Sequence, residues 1–335
     1  MRNHRADTTA LIGRKTVLTG SLPFHVEQIA VRHHIDVRDV QVLDGSFGKQ
    51  VFVLNREFLV RIADRPMTNV EETYGRVAAL NGVPKILHRG VLAREGRDLT
   101  YVVLTYLPGE DFVVAYPQTT MFQQAQLGHS TAAFLDCLHA IEGDHYDIGL
   151  YIPAVRQWPG TWRAGHHRYW DKLERESRDL GLKDASVAVF DKAFRYLRTN
   201  AAVLEEQTGP RLLHNDLHPK NILLNRGQFS GVIDWECAQF GEPDFDLCHL
   251  LHWCLYPPEP KPDFGPFLSA VFESKPRCTQ VPELARRLTL YEIEHDIHQV
   301  IWNAPGAEAL RVPRVVDWME GRLEQWFADR QISTR

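Results

Sequence analysis

A chain of 335 residues, 44% hydrophobic and 24% charged, is long enough to bury two packed units. Its formal charge of -5 argues against nucleic acid as the main partner and suits a small, cationic one. No run of 18 apolar residues occurs and residues 1–20 lack the apolar core of a signal peptide, so neither a membrane partner nor export is expected. Five cysteines, Cys137, Cys237, Cys248, Cys254 and Cys278, include no C-x-x-C pair, which fits reduced thiols in a cytoplasmic protein. The expected assembly is a monomer or a weak homodimer.

The first third reads as strands. Val40 to Leu43, Gln50 to Leu54 and Phe58 to Ile62 are short β-branched and aromatic runs, with a turn at Asp44 to Gly48 and a polar break at Asn55-Arg56. Val70, Val77 and Leu80 fall on helical spacing, which predicts a helix from Thr68 to Leu80 with Thr68 as its cap. Ile86 to Leu92 suggests a further strand. The apolar run from Thr100 to Tyr106 reads as a central one, ended by Pro108-Gly109. From there the pattern turns helical: 123–141, a polar helix at 162–180, then 186–204, 247–255, 267–272, 284–300 and 315–327. Ile222 to Leu224 and Val232-Ile233 flank Asn225-Arg226-Gly227 as a small hairpin. The expected division is a β-rich unit over residues 1–107 and a mostly helical one over 108–335.

The chemistry concentrates in His214-Asn215-Asp216-Leu217-His218-Pro219-Lys220-Asn221 and in Gly231-Val232-Ile233-Asp234-Trp235-Glu236. A carboxylate is followed five residues later by a carboxamide, then by a second carboxylate behind an apolar run. Phosphoryl transfer from a nucleoside triphosphate needs that set: one acid to orient and deprotonate an alcohol, and an amide and another acid to hold magnesium. Asp216 is the candidate base, and Asn221 and Asp234 are the candidate magnesium ligands, hard oxygen donors for a hard ion. His214 and His218 stand four apart, but Pro219 argues against the helix that a zinc pair would need, and His214 is expected to be a scaffold residue of the loop. His295 and His298, beside Glu294 and Asp296, are expected on a solvated or pocket-facing helix surface.

Gly45, Ser46 and Gly48 lie between two strands, where backbone amides can approach phosphates. Arg61, on the sheet face opposite Val60 and Ile62, could reach the α- and β-phosphates, with Glu72 or Glu71 as its partner.

These blocks resemble the aminoglycoside phosphotransferase and choline kinase-like family, relatives of protein kinases. Gly241-Glu242-Pro243-Asp244-Phe245-Asp246-Leu247 is similar to that family's following block, and the resemblance runs from about Val40 to Leu255. It implies an α+β, bilobal, protein kinase-like fold. Asp216 would be the base, Asn221 and Asp234 the magnesium ligands, and Asp246 a buried brace for the catalytic loop. The 102–107 segment, with Thr105 and Leu107, would meet adenine through its backbone. Three features depart from the protein kinases: Arg61 stands where lysine is usual, Trp235-Glu236 replaces Phe-Gly, and the glycine turn is short. The implied activity is ATP- and magnesium-dependent phosphorylation of a hydroxyl on a small, amine-bearing acceptor. GTP stays open as donor. Choline, homoserine and sugar amines stay open as acceptors, as does antibiotic resistance as the role. Glu236, Glu242, Glu292 and Asp296 are candidate partners for acceptor amino groups, with 162–170 and 290–303 as pocket walls. A nucleotide-binding pseudokinase is the rival; it would lack the base or a metal ligand, and all three are present. A protein kinase is disfavoured because no Ala-Pro-Glu segment follows Asp234.

Overall fold

The β-branched and aromatic runs of the first third form a six-stranded antiparallel sheet. The computed structural model describes residues 16–17, 22–43, 49–64, 67, 70–94, 97–151, 153–180, 184–255 and 262–303. The chain divides into two compact units, the first made of Met1–Ala115, Ile222–Arg226 and Ser230–Ile233, the second of Tyr116–Asn221, Gly227–Phe229 and Asp234–Arg335.

In the first unit, β1 (Thr16–Val17), α1 (Phe24–Arg32), β2 (Val40–Leu43), β3 (Gln50–Leu54), β4 (Phe58–Ala63), α2 (Val70–Arg76), β5 (Ile86–Arg94) and β6 (Arg97–Thr105) follow in order. The sheet runs β1-β2-β3-β4-β6-β5. Phe52 stands opposite Val60, and Val60 opposite Val103. That register stacks Phe52, Leu54, Val60, Ile62, Tyr101 and Val103 on one face, against Val26 and Ile29 of α1. Each such side chain contributes about 1.5–3 kcal/mol on burial. Arg61 points from the other face, between Val51 and Val102. Helix α2 stops at Arg76, short of Leu80; Val77 and Leu80 continue as turns and still reach the core. The predicted cap Thr68 lies outside the described residues. The first unit runs on past residue 107 through β7 (Glu110–Asp111) and α3 (Phe112–Ala115).

The second unit opens with α4 (Met121–Leu138), capped by Thr120 in a capping box with Gln123. Then come β8 (Tyr146–Ile148), β9 (Val155–Trp158), α5 (Trp162–Arg178), α6 (Asp184–Asn200) and β10 (Arg211–Leu213). The chain then returns to the first unit in the hairpin β11 (Ile222–Asn225) and β12 (Gln228–Val232), whose tip at 227–229 counts with the second, and β11 pairs with β7. Gly231, at φ 157°, lets the backbone pass the 82–83 turn; a Cβ there would sit 2.1 Å from the Gly82 carbonyl oxygen. The chain closes with β13 (Gln239–Gly241), paired to β10, and with α7 (Phe245–Leu255), α8 (Gly265–Glu273) and α9 (Leu284–Asn303). The expected helix over 315–327 lies outside the described residues.

The polar-looking helix α5 buries a full face. Trp162 and Trp170 have no exposed surface; their indole N–H groups donate to the Tyr291 hydroxyl at 2.9 Å and to Glu294 at 2.5 Å. They are core residues that tie α5 to α9, and not walls of an acceptor pocket. Arg287 of α9, also buried, forks onto Asp244 and donates to the carbonyls of Val203 and Glu205.

Candidate active site

Strand β10 delivers the chain into the 214–221 loop, and the first turn of α7 holds it there. The buried carboxylate of Asp246 accepts the backbone N–H of His214 at 3.0 Å, that of Asn215 at 2.8 Å, and Nε2 of His139 at 3.0 Å. Burial pushes the Asp246 carboxyl up. The hydrogen bond and charge of His139, with His214 and the Asn215 N–H, outweigh that and hold it below the ordinary carboxylate value. Asn215 takes a left-handed conformation, φ 60°, and its side-chain amide donates to the carbonyls of Tyr151 (2.8 Å) and Cys237 (3.2 Å). His214 is fully buried, stacks edge-on against Trp235 and accepts the Asp216 N–H through Nδ1 at 3.3 Å.

The loop therefore presents Asp216 in one orientation. The Asn221 amide nitrogen donates to the Asp216 carbonyl at 2.8 Å and reaches its carboxylate at 3.4 Å. That commits the nitrogen of Asn221 to Asp216, so its oxygen is the atom that can serve a cation. Asp234 follows β12 in a left-handed conformation, φ 65° and ψ 60°, where a non-glycine residue is sparsely populated. Burial and the neighbouring charge of Asp234, opposed by the Asn221 hydrogen bond, raise the Asp216 carboxyl well above its ordinary value. Asn221 thus touches Asp216, and Asp234 stands near enough for its charge to act on that carboxyl; the three offer oxygen donors, a set that fits magnesium.

Two imidazoles flank Asp216. His218 Nε2 and His249 Nδ1 each lie 3.7 Å from its Oδ1. Burial first, then the charge of His214, pushes His218 down to about 4, and burial holds the His249 imidazole neutral too. Tyr151 packs edge-on against His249 at 4.8 Å, and its hydroxyl pairs with His295 Nε2 at 2.9 Å. The sequence reading missed His249 and Tyr151. For His249 a signal exists: it stands three residues after Asp246, on the same side of α7.

The other candidate residues fall elsewhere. Gly45, Ser46 and Gly48 lie outside the described residues. Both carboxylates proposed for Arg61 engage other cations: Glu72 pairs with Arg76 one turn along α2, and Glu71 with Arg89 of β5. Thr105 exchanges backbone and side-chain hydrogen bonds with Lys85 at the end of β6, and Leu107 follows it half-buried. Two of the acceptor-binding carboxylates are corrected by their surroundings. Glu242 is fully buried and accepts from the Tyr146 hydroxyl, the Thr208 hydroxyl and the N–H groups of Thr208 and Gly209. Glu292 is buried and bound to His252 at 2.8 Å. A buried acid keeps its hydrogen-bond partners, so neither is a surface lure for amines. Glu236 and Asp296 keep some exposure, 16% of the side chain for Asp296. His295 and Glu294, expected on a solvated or pocket-facing surface, are fully buried, and Glu294 accepts from His166 at 2.7 Å as well as from Trp170.

A β-rich unit, a mostly helical unit and a braced Asp–Asn–Asp loop define a kinase-like phosphotransferase acting on small molecules. The family model described as "Phosphotransferase enzyme family" matches residues 35–270, and the chain belongs to that family. No curated protein matches the sequence. Among solved structures, the streptomycin–ATP–APH(2")-IIa ternary complex is similar with a TM-score of 0.63 and 18% identity, over 91% of this chain and 99% of that one. ADP-bound aminoglycoside phosphotransferase APH(2'')-Ib gives 0.63 and 18%, over 90% and 99%. The GDP complex of wild-type aminoglycoside 2'-phosphotransferase-IIIa gives 0.62 and 15%, over 91% and 98%. At these identities the likeness is one of fold.

Proposed function

We propose that this protein moves a phosphoryl group from ATP to a hydroxyl of a small, amine-bearing molecule of the aminoglycoside kind, in the cytoplasm. Asp216 orients that hydroxyl and accepts its proton. The Asn221 amide fixes the carboxylate from one side, and the Asp246 brace fixes the backbone beneath it. The side-chain oxygens of Asn221 and Asp234 hold magnesium, which when bound screens the phosphate charge. Arg61 and the 45–48 turn attend the phosphates, and the backbone at Thr105 to Leu107 attends the base. GTP stands as a second donor, since one similar structure is a GDP complex. Glu236 and Asp296 are the carboxylates left to meet acceptor amines, and antibiotic inactivation is the role this acceptor class suggests.

The observation that carries the reading is the clamp of Asn221 on Asp216 beside the charge of Asp234. Positioned general-base catalysis contributes roughly 10²–10⁴-fold. Asp216→Ala should abolish phosphate transfer to aminoglycoside acceptors, followed by mass gain of one phosphoryl group, while ATP binding by calorimetry survives. Undiminished turnover in that variant would remove the mechanism.

A further inference from the structure

Helices α7 and α9 bring a second, chemically different donor set together within the helical unit. A ring nitrogen of His252, a carboxylate oxygen of Glu292 and a ring nitrogen of His295 lie within 4.8 Å of one another, the one such group of three among the described residues. Glu292 and His295 are three apart on α9, so the helix presents them from one side. The His252 and His295 rings are 4.2 Å apart between centroids, and His252 Nδ1 is 2.8 Å from Glu292 Oε2.

The surroundings are those of a ligand site and not of a plain ion pair. His295 has no exposed surface, and its Nδ1 has no hydrogen-bond partner, the Asp296 carboxylate standing 3.9 Å away. Burying a polar nitrogen without a partner costs about 1–3 kcal/mol, which a cation would recover. The other nitrogen of His295 is held by the Tyr151 hydroxyl, itself fixed by Gln299 at 2.6 Å. An outer hydrogen bond of that kind orients a metal-bound imidazole. Glu292 is likewise braced from behind by the Cys248 thiol. Only His252 reaches solvent, with 15% of its side chain exposed, which gives an entry route.

We propose that His252, Glu292 and His295 bind a borderline divalent transition cation of the zinc class, separate from the all-oxygen magnesium set at Asn221 and Asp234. Two imidazoles and a carboxylate suit such an ion, whereas magnesium prefers oxygen alone. Metal–ligand bonds of about 2.0–2.2 Å set donor atoms somewhat over 3 Å apart, so small rotamer shifts close the set. Three protein ligands leave a fourth position open. The ion would cross-tie α7, which carries His249 beside Asp216, to α9.

The test uses the full chain, stripped with a chelator and titrated with zinc in the presence of excess magnesium. One equivalent of zinc should bind, and cobalt(II) should give visible ligand-field absorption. Loss of an outer-shell partner alone costs roughly 10–100-fold in affinity, so His252→Ala and Glu292→Gln should each cost at least as much. Asp234→Ala should leave zinc binding unchanged. His252→Ala, on a partly exposed side chain, decides the matter if Glu292→Gln fails to fold by circular dichroism. Absence of stoichiometric zinc, unaltered affinity in His252→Ala, or loss of zinc in Asp234→Ala would each overturn the proposal.

Discussion

His249 Nδ1 lies 3.7 Å from Asp216 Oδ1, and neither atom has a hydrogen-bond partner among the described residues. The gap is too wide for a direct bond and of a size that a bridging hydroxyl or water can span. Burial raises the acid and lowers the imidazole, so each group is pushed toward its neutral form. A base of raised pKa is better matched to proton transfer near neutrality than an ordinary aspartate.

The first prediction concerns rate against pH. As the proposed base, Asp216 must be ionised to accept a proton, and its carboxyl is raised by burial and by Asp234. The rising limb of kcat/KM should therefore sit well above the ordinary carboxylate range near 4, with activity lost as pH falls through it. Asp234→Asn removes the second of these causes and should move any residual limb to lower pH. A pH profile for each protein checks it, and a wild-type limb at pH 4 or below would contradict the assignment.

The same shift has a sign in stability. A carboxyl raised in the folded state opposes folding once the unfolded chain ionises, so stability is lost as pH rises above about 4. Asp216→Asn cannot ionise. It should be inactive yet melt higher than the parent at neutral pH, with the difference shrinking below pH 4. Thermal melts at several pH values show this; a lower melting temperature across the range would count against it.

Asp246 carries the opposite sign. Its carboxyl is held low, so it stabilises above the unfolded value near 4, and that contribution goes as pH falls through the folded one. Asp246→Ala leaves three buried donors, from His214, Asn215 and His139, without their acceptor. The expected loss is about 3–5 kcal/mol by denaturant titration. Phosphate transfer should fall with it, since the loop bearing Asp216 loses its brace.

What could be read in the sequence follows from where the partners lie. Strands β2 to β4 are short β-branched and aromatic runs set off by turn residues, and their buried face lies on α1, so their existence was visible. The contact of Asn221 with Asp216 was also legible, because one short loop carries both. The three-residue strands β8, β10 and β13 carry no period to detect. Helix α9 misled for another reason. Its Glu292, Glu294 and His295 look like a solvated face, yet their partners come from other helices and from Tyr151. Trp170, which donates to Glu294, is 124 residues away. Pairing at that distance leaves no local trace. Helix α1 was missed although Pro23, Val26, Ile29 and Ala30 mark its start and its buried stripe.

Arg287 tests whether shape or charge holds α9. Its guanidinium places Nε and Nη2 on the two oxygens of Asp244, at 2.6 and 3.1 Å, and Nη1 on two carbonyls. Lysine keeps the charge but cannot make the fork. Arg287→Lys should cost at least about 2 kcal/mol, because buried acceptors lose their donors. Equilibrium unfolding measures it, and a loss within ±0.5 kcal/mol would show that charge alone suffices.

Two glycines make the last prediction a matched pair. Gly128 of α4 sits where α8 passes, and an added Cβ would stand 2.4 Å from the Phe267 carbonyl oxygen and 2.6 Å from the Ala270 Cβ. Backbone on one side and a methyl on the other cannot both yield, so Gly128→Ala should cost about 1–3 kcal/mol through overpacking. Gly75 in α2 has nothing within 4 Å of that position. Gly75→Ala should instead gain about 0.5–1 kcal/mol from the reduced freedom of the unfolded chain. Thermal melts of both variants decide it. Equal shifts of the same sign would mean that the approach of α4 to α8 is not set by the missing side chain.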